Sequence, residues 1–241
     1  MSLPGTPSDQ VQGVLANGDG DITTLFVSMA RRHPDGTDAD YLRWHTLDHR
    51  PEQHRLSAVR ASLRLVSTPE CRAARAASAK PYDEIDHVMT YFFTAPSGMD
   101  GFLDLSHALG DAGRKLTLLP PVERGVYDVQ RRAAADRVKV GADVLPWWPA
   151  KGVYLLLEQG DAPTDGLLDI DGVAGAWKST TLDVDAKLAN APAGQSLTYC
   201  FLDDDPVAVA HRLQPVLKER ELLLAAPFHT VVPHEWDRYV P

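Results

Sequence analysis

Hydrophobic and polar positions alternate along several short stretches of this chain and recur at helical spacing along others. "TTLFVSMARR" (Thr23–Arg32) is β-branched and apolar and predicts a strand. "HPDGTDAD" follows as a turn with acidic helix-start residues, and a helix is expected from Asp38 to about Leu56. "AVRASLRLVST" (Ala58–Thr68) alternates as a strand does, an Ala-rich loop runs to about Asp86, and "HVMTYFFTA" (His87–Ala95) predicts another strand. Met99, Phe102, Leu105 and Leu109 then form a helical stripe that Gly110 or Gly113 should end. "RGVYDVQRR" (Arg124–Arg132) reads as a strand.

This order, β-α-β-β-α-β, is the ferredoxin-like unit. The second half follows it in part. "GVYLLLEQ", "GVAGAWKSTTLDV" and "SLTYCFLDDD" predict strands. Asp205-Pro206 predicts an N-cap and first-turn proline. The helix after it should point Val209, Leu213, Val216 and Leu217 inward, with Pro215 kinking or shortening it. "FHTVVPHEWDRYVP" closes the chain. "MTYFF" (Met89–Phe93) matches "LTYCF" (Leu197–Phe201), and "VYDV" (Val126–Val129) matches "EWDR" (Glu235–Arg238), at nearly one offset. This suggests an internal repeat. The expected organisation is an arm over residues 1–22, a first repeat over 23–133, a linker over 134–151 and a second repeat over 152–241. "GDAPTDGLLDID" is too short to hold a counterpart of the first helix. The fold class is α+β: tandem ferredoxin-like repeats whose antiparallel sheets pack or curl into a barrel. Phe26, Tyr91, Phe93, Trp177 and Tyr199 are candidates to line the space between the sheets. Trp147 and Trp148 in the linker read as a packing latch.

Charge narrows the function classes. A net charge of −9 argues against a nucleic-acid partner. Between Arg31 and Arg64, however, seven arginines and four histidines face five acids. That local excess suits an anionic or electron-rich ligand. Cys71 and Cys200 form no redox or metal motif. The chain lacks an apolar leader and any run long enough to span a membrane, so a cytoplasmic location is expected.

"WHTLDHRPEQHRL" (Trp44–Leu56) concentrates the candidate chemistry. Helical spacing puts Leu42, His45 and His49 on one face and Tyr41, Trp44 and Asp48 on a neighbouring stripe, with Pro51 shifting the phase after His49. Three readings stay open. In the first, His49 is a general acid–base, oriented by His45 or Asp48, with Arg50, Arg60 or Arg64 stabilising an enolate or carboxylate. In the second, His45 and His49 ligate haem or a divalent metal, with Glu52, His87 or His229 as a third ligand. In the third, the histidines are hydrogen-bonded groups in a non-catalytic binding protein. No phosphate loop, dinucleotide fingerprint or nucleophile elbow is present.

Trp44, His49 and Pro51 in "YLRWHTLDHRP", with "DGVAGAWKSTT" (Asp171–Thr181), resemble the EthD-like branch of the dimeric α/β-barrel superfamily. The residue after Trp44 is His rather than an aromatic, which departs from that pattern. The resemblance implies a barrel and a small aromatic or polyketide-like carbonyl compound as ligand. It favours His49 as acid–base residue; the reading of the residues adds His45 and Asp48 as its helpers and Trp44, Tyr91 and Trp177 as pocket walls. No tightly bound cofactor is expected, and self-association is allowed. The superfamily hosts several chemistries, so fold alone names no reaction.

Overall fold

A computed structural model describes residues 4–8, 21–114, 118–161, 163–184 and 189–240. Most of the expected N-terminal arm lies outside them. The strands are β1 (Thr24–Ala30), β2 (Val59–Val66), β3 (Ala77–Ser78), β4 (His87–Phe93), β5 (Pro121–Ala134), β6 (Gly152–Gln159), β7 (Val173–Thr181), β8 (Gln195–Leu202) and β9 (Leu222–Thr230). The α-helices are α1 (Asp38–Trp44), α2 (Arg50–Gln53), α3 (Pro69–Ala73), α4 (Gly98–Asp111) and α5 (Pro206–Leu217).

Eight strands run in the order β2-β4-β1-β5-β7-β8-β6-β9, and β9 pairs back onto β2, so the antiparallel sheet closes on itself. Within each half the spatial order is second, third, first, fourth strand. Short β3 pairs only with β9. Closure leaves no long strand edge unpaired.

Period-two alternation sorts the side chains. Leu25, Val27, Met29, Leu63, Leu65, Phe92, Trp177, Tyr199 and Phe201 form one cluster inside the barrel. The linker seals part of it: Leu145 is fully buried there, and Ala142 O accepts the Trp177 indole N–H at 2.8 Å. Trp147 is about half exposed and donates to Arg60 O on β2 at 3.2 Å, a tie between the linker and the first half.

The outer faces carry the helices. On the first half, Phe26, Met89, Tyr91 and Phe93 meet Met99 and Phe102 of α4. On the second, Tyr154, Leu156, Cys200 and Leu202 meet Val209, Ala210, Leu213 and Leu217 of α5. The large residues expected between two sheets therefore separate: Phe26, Tyr91 and Phe93 face helices, while Trp177 and Tyr199 face the interior.

Local signals explain the helix ends. Asp205 caps α5 by accepting the Ala208 N–H at 2.9 Å, and α5 ends two residues after Pro215. Val216 is exposed rather than inward. The last strand is Leu222–Thr230, and Glu235–Arg238 lies in turns, so "EWDR" does not correspond to β5 as the sequence match suggested. The apolar run "LLLAAPFHT" forms the strand instead, paired with β6 on one side and with β3 and β2 on the other.

Candidate functional site

The helix expected over Asp38–Leu56 runs from Asp38 to Gln53, but not as one α-helix. His45–His49 forms a π-turn between α1 and α2, where the Arg50 N–H donates to His45 O, five residues back. Pro51 has no N–H and its ring crowds the carbonyl four residues earlier, so the turn before it widens. The phase change thus precedes Pro51 instead of following His49. It leaves His45 and His49 both facing the sheet, and leaves Leu47 exposed. Leu42 turns aside and packs with Val66 and Val240.

The N-terminus of this helix is pinned to the barrel. The His87 Nε2–H of β4 donates to Asp38 Oδ1 at 2.6 Å, with both groups buried. Burial pushes the His87 pKa down to about 4, so its imidazole is neutral at physiological pH. Burial alone would raise the Asp38 carboxyl, but the hydrogen bonds from His87 and the His33 N–H, with the charge of Arg32, outweigh it and hold Asp38 below its ordinary value. The C-terminal part is pinned to α4. Gly113 takes a positive φ of 71°, its N–H reaches Gly110 O, and the Arg114 N–H reaches Leu109 O, a Schellman ending. That turn presents Arg114, whose carbonyl accepts the Trp44 indole N–H at 3.0 Å and whose guanidinium holds Asp48 and Glu52, each at 3.1 Å.

Between this helix, α4 and the outer face of β1, β2, β4 and β5 lies a cavity of about 250 Å³, open on one side. Tyr41, Trp44, His45, His49, Phe26, Met89, Tyr91 and Phe102 line it, with polar groups from Ser28, Arg64, Ser106, His107 and Arg124. The Trp44 ring stacks on His49 with centroids 5.1 Å apart, and Tyr41 stacks on His45 at 5.9 Å. The Tyr91 hydroxyl lies 3.3 Å from His45 Nε2. His45 is buried, and burial first, then the charge of Arg64, hold its pKa well below the ordinary value. Its Nδ1 has no partner among the described residues. His49 is half-buried, and Gln53 Nε2 lies 3.5 Å from its Nε2 while donating to Ser106 Oγ at 2.8 Å. Arg64 is 4% exposed, with its guanidinium carbon 5.0 Å from the Tyr41 ring centre.

The structure thus brings Trp44, His45, His49 and Tyr91 to one cavity. It places Asp48 on the outer side of the helix with Arg114, where it orients neither imidazole. Trp177 lies in the barrel interior and does not line the cavity. Of the three arginines proposed for charge stabilisation, Arg64 lines the cavity, and Arg60 pairs with Asp21 at 3.1 Å. Gln53 and Ser106 were missed. Gln53 stands four residues after His49, a spacing that signals a shared helix face.

Among the described residues, no three His, Cys, Asp or Glu side chains gather as a metal site. The suggested third ligands are engaged elsewhere: His87 by Asp38, His229 by stacking on Tyr239 at 4.3 Å, and Glu52 by Arg55 and Arg114. A larger depression of about 610 Å³ runs over Gln130–Ala133 and Asp143, but no imidazole lines it.

No family model and no curated protein sequence matches the chain. Solved structures do. An anthrone oxidase-like protein superposes at a TM-score of 0.51 and 10% identity, over 89% of this chain and 93% of that one. The fold is that of the dimeric α/β barrels. A chlorite dismutase-like protein superposes at 0.50 and 11% identity, over 88% and 95%. A monooxygenase-like protein from Lactobacillus acidophilus NCFM reaches 0.41 at 10% identity, over 86% and 94%.

The second of these corrects one expectation. Chlorite dismutase-like barrels bind haem, so the fold gives no ground for expecting a protein without a cofactor. Imidazole donors are present in His45 and His49. The space is not: about 250 Å³ is below the roughly 300–1,000 Å³ of sites for drug-sized ligands and less than a porphyrin fills. The side chains as arranged do not fit that group. Among the described residues, no helix is long and apolar enough to cross a membrane.

Proposed function

We propose that this barrel binds a small aromatic or polyketide-like carbonyl compound against Trp44 and Tyr91 and acts on it with His49 as acid–base residue, an EthD-like activity. The observation that carries this reading is the pairing of two imidazoles with an aromatic-walled cavity of about 250 Å³. His49 stands half-buried in the cavity wall, with Trp44 stacked on its ring and Gln53 Nε2 3.5 Å from its Nε2. A carbonyl compound with an acidic C–H would give that proton to a His49 ring nitrogen, and the C–H electron pair would move into an enolate. Return of the proton at the same or another atom completes exchange or isomerisation. His45 is the positioning residue: uncharged at neutral pH, it keeps an unpaired Nδ1 facing away from Tyr91.

Two further expectations join this reading: that the halves descend from one repeated unit, supported by their equal strand order, and that copies self-associate. The test is solvent-deuterium exchange at the acidic carbon of β-keto and phenolic-ketone compounds, followed by NMR. His49→Ala should slow exchange by about 10²–10⁴-fold, the range of general acid–base catalysis. An unchanged rate would defeat the assignment.

A further inference from the structure

Arg64 is a buried cation with donors to spare. Its Nε and Nη2 have no partner among the described residues, although both are out of contact with solvent. The aromatic rings of Tyr41 and Tyr91 and the neutral His45 surround it. Asp38 is the carboxylate acting on it, and that group is already committed to His87 and to the His33 N–H. The Tyr41 hydroxyl is also close enough to act on the guanidinium, but a neutral phenol does not balance its charge, and a desolvated cation without a carboxylate of its own is strongly unfavourable unless an anion meets it. Arg64 lines the cavity, and a guanidinium offers a planar N–H fork that suits the oxygens of a planar anionic group.

We infer that Arg64 anchors an anionic oxygen group, carboxylate or phenolate, on a planar aromatic ligand whose ring lies among Tyr41, Trp44 and Tyr91. This rests on the cavity being the ligand site, and it adds the ligand's charge and the end by which it is held. It does not depend on His49 being catalytic.

Calorimetric titration of the full chain with 2-naphthoate, the neutral 2-naphthamide and 4-nitrophenol tests it. The acid should bind about tenfold or more tighter than the amide, the ~1.4 kcal/mol of one charge-assisted bond at the low end. 4-Nitrophenol should bind as its phenolate, with its apparent pKa lowered by the cation. A preference for the acid alone assigns a carboxylate, and a lowered phenol pKa alone assigns a phenolate. Arg64→Met should bring the acid-to-amide ratio close to one. Equal binding of acid and amide by the unaltered protein, with no lowering of the phenol pKa and with binding lost in Trp44→Ala, would overturn the Arg64 anchor while the cavity reading stands. Binding of none of the three would overturn both. The comparison on the unaltered protein requires no variant to fold.

Discussion

The outer faces of the two halves have the same strand order but are covered in opposite ways. On the second half, α5 presses Val209, Ala210, Leu213 and Leu217 onto Tyr154, Leu156 and Cys200, and aliphatic side chains fill the space. On the first, two helices stand over Phe26, Ser28, Ala30, Arg64, Met89 and Tyr91 and leave a cavity. Buried polar groups gather there: Asp38, His45, Arg64 and His87 are all nearly inaccessible. A packed face contributes stability, and a face with voids and desolvated charge gives some of it up. The first face retains that costly arrangement, which is the pattern of a site rather than of a core.

That contrast can be broken at its strongest point by acid. His87 has a folded pKa of about 4, below the 6.5 of an exposed imidazole, so between those values the unfolded chain binds the proton that the folded one refuses. Stability should therefore fall as pH drops from 6.5 towards 4, by roughly 3 kcal/mol from this group. His45, also lowered, adds to the fall in the same direction. Below the ordinary carboxylate range Asp38, whose folded pKa is lowered, takes its own share of stability away. Urea midpoints across this range should show the slope, and His87→Gln should flatten it. An equally steep slope in that variant would mean the acid sensitivity comes from elsewhere.

Packing offers a second, smaller test. Ala210→Leu overfills the second face and should cost about 1–3 kcal/mol. Ala30→Leu enters the cavity, so its cost should fall below that range while aromatic ligand binding is lost. Equal costs at the two positions, read from thermal melts, would mean that the cavity is not available space. The smallest effect is expected at Asp48. Asp48→Asn removes a surface partner of Arg114 and should leave proton-exchange turnover within about twofold. A large loss would return Asp48 to the machinery.

Much of this was legible in the chain. Alternation located β1, β2, β4, β6, β7 and β8, and Asp205-Pro206 located the start of α5, because those signals are local. The aromatic and histidine content of Trp44–His49 pointed to the right wall of the cavity. What escaped is what depends on several elements at once. Which strand faces meet helices and which meet each other could not be read from Trp177 or Tyr91, since both alternate in the same way. The π-turn escaped because Pro51 marks a disturbance but not which turn absorbs it. Asp48 was misjudged because Arg114 reaches it only through the glycine turn after α4. The final strand, Leu222–Thr230, escaped because the match of "VYDV" to "EWDR" pointed to Glu235–Arg238, beyond its end.

The barrel is joined unevenly. One junction between the halves, β5 with β7, matches seven residue pairs, while the other, β2 with β9, matches two, Leu65 with Thr230 and Val66 with His229. The ring behaves like a bracelet with a hinge on one side and a clasp on the other. The clasp is also fastened by Arg64, whose main-chain carbonyl receives the Val231 N–H at 3.0 Å. Breathing of the ring should begin there, and it would loosen the strand that carries the cavity's buried guanidinium. An occupant gripping that side chain would draw the clasp shut, so amide exchange at Val231, whose N–H meets the Arg64 carbonyl, would register what happens in the cavity.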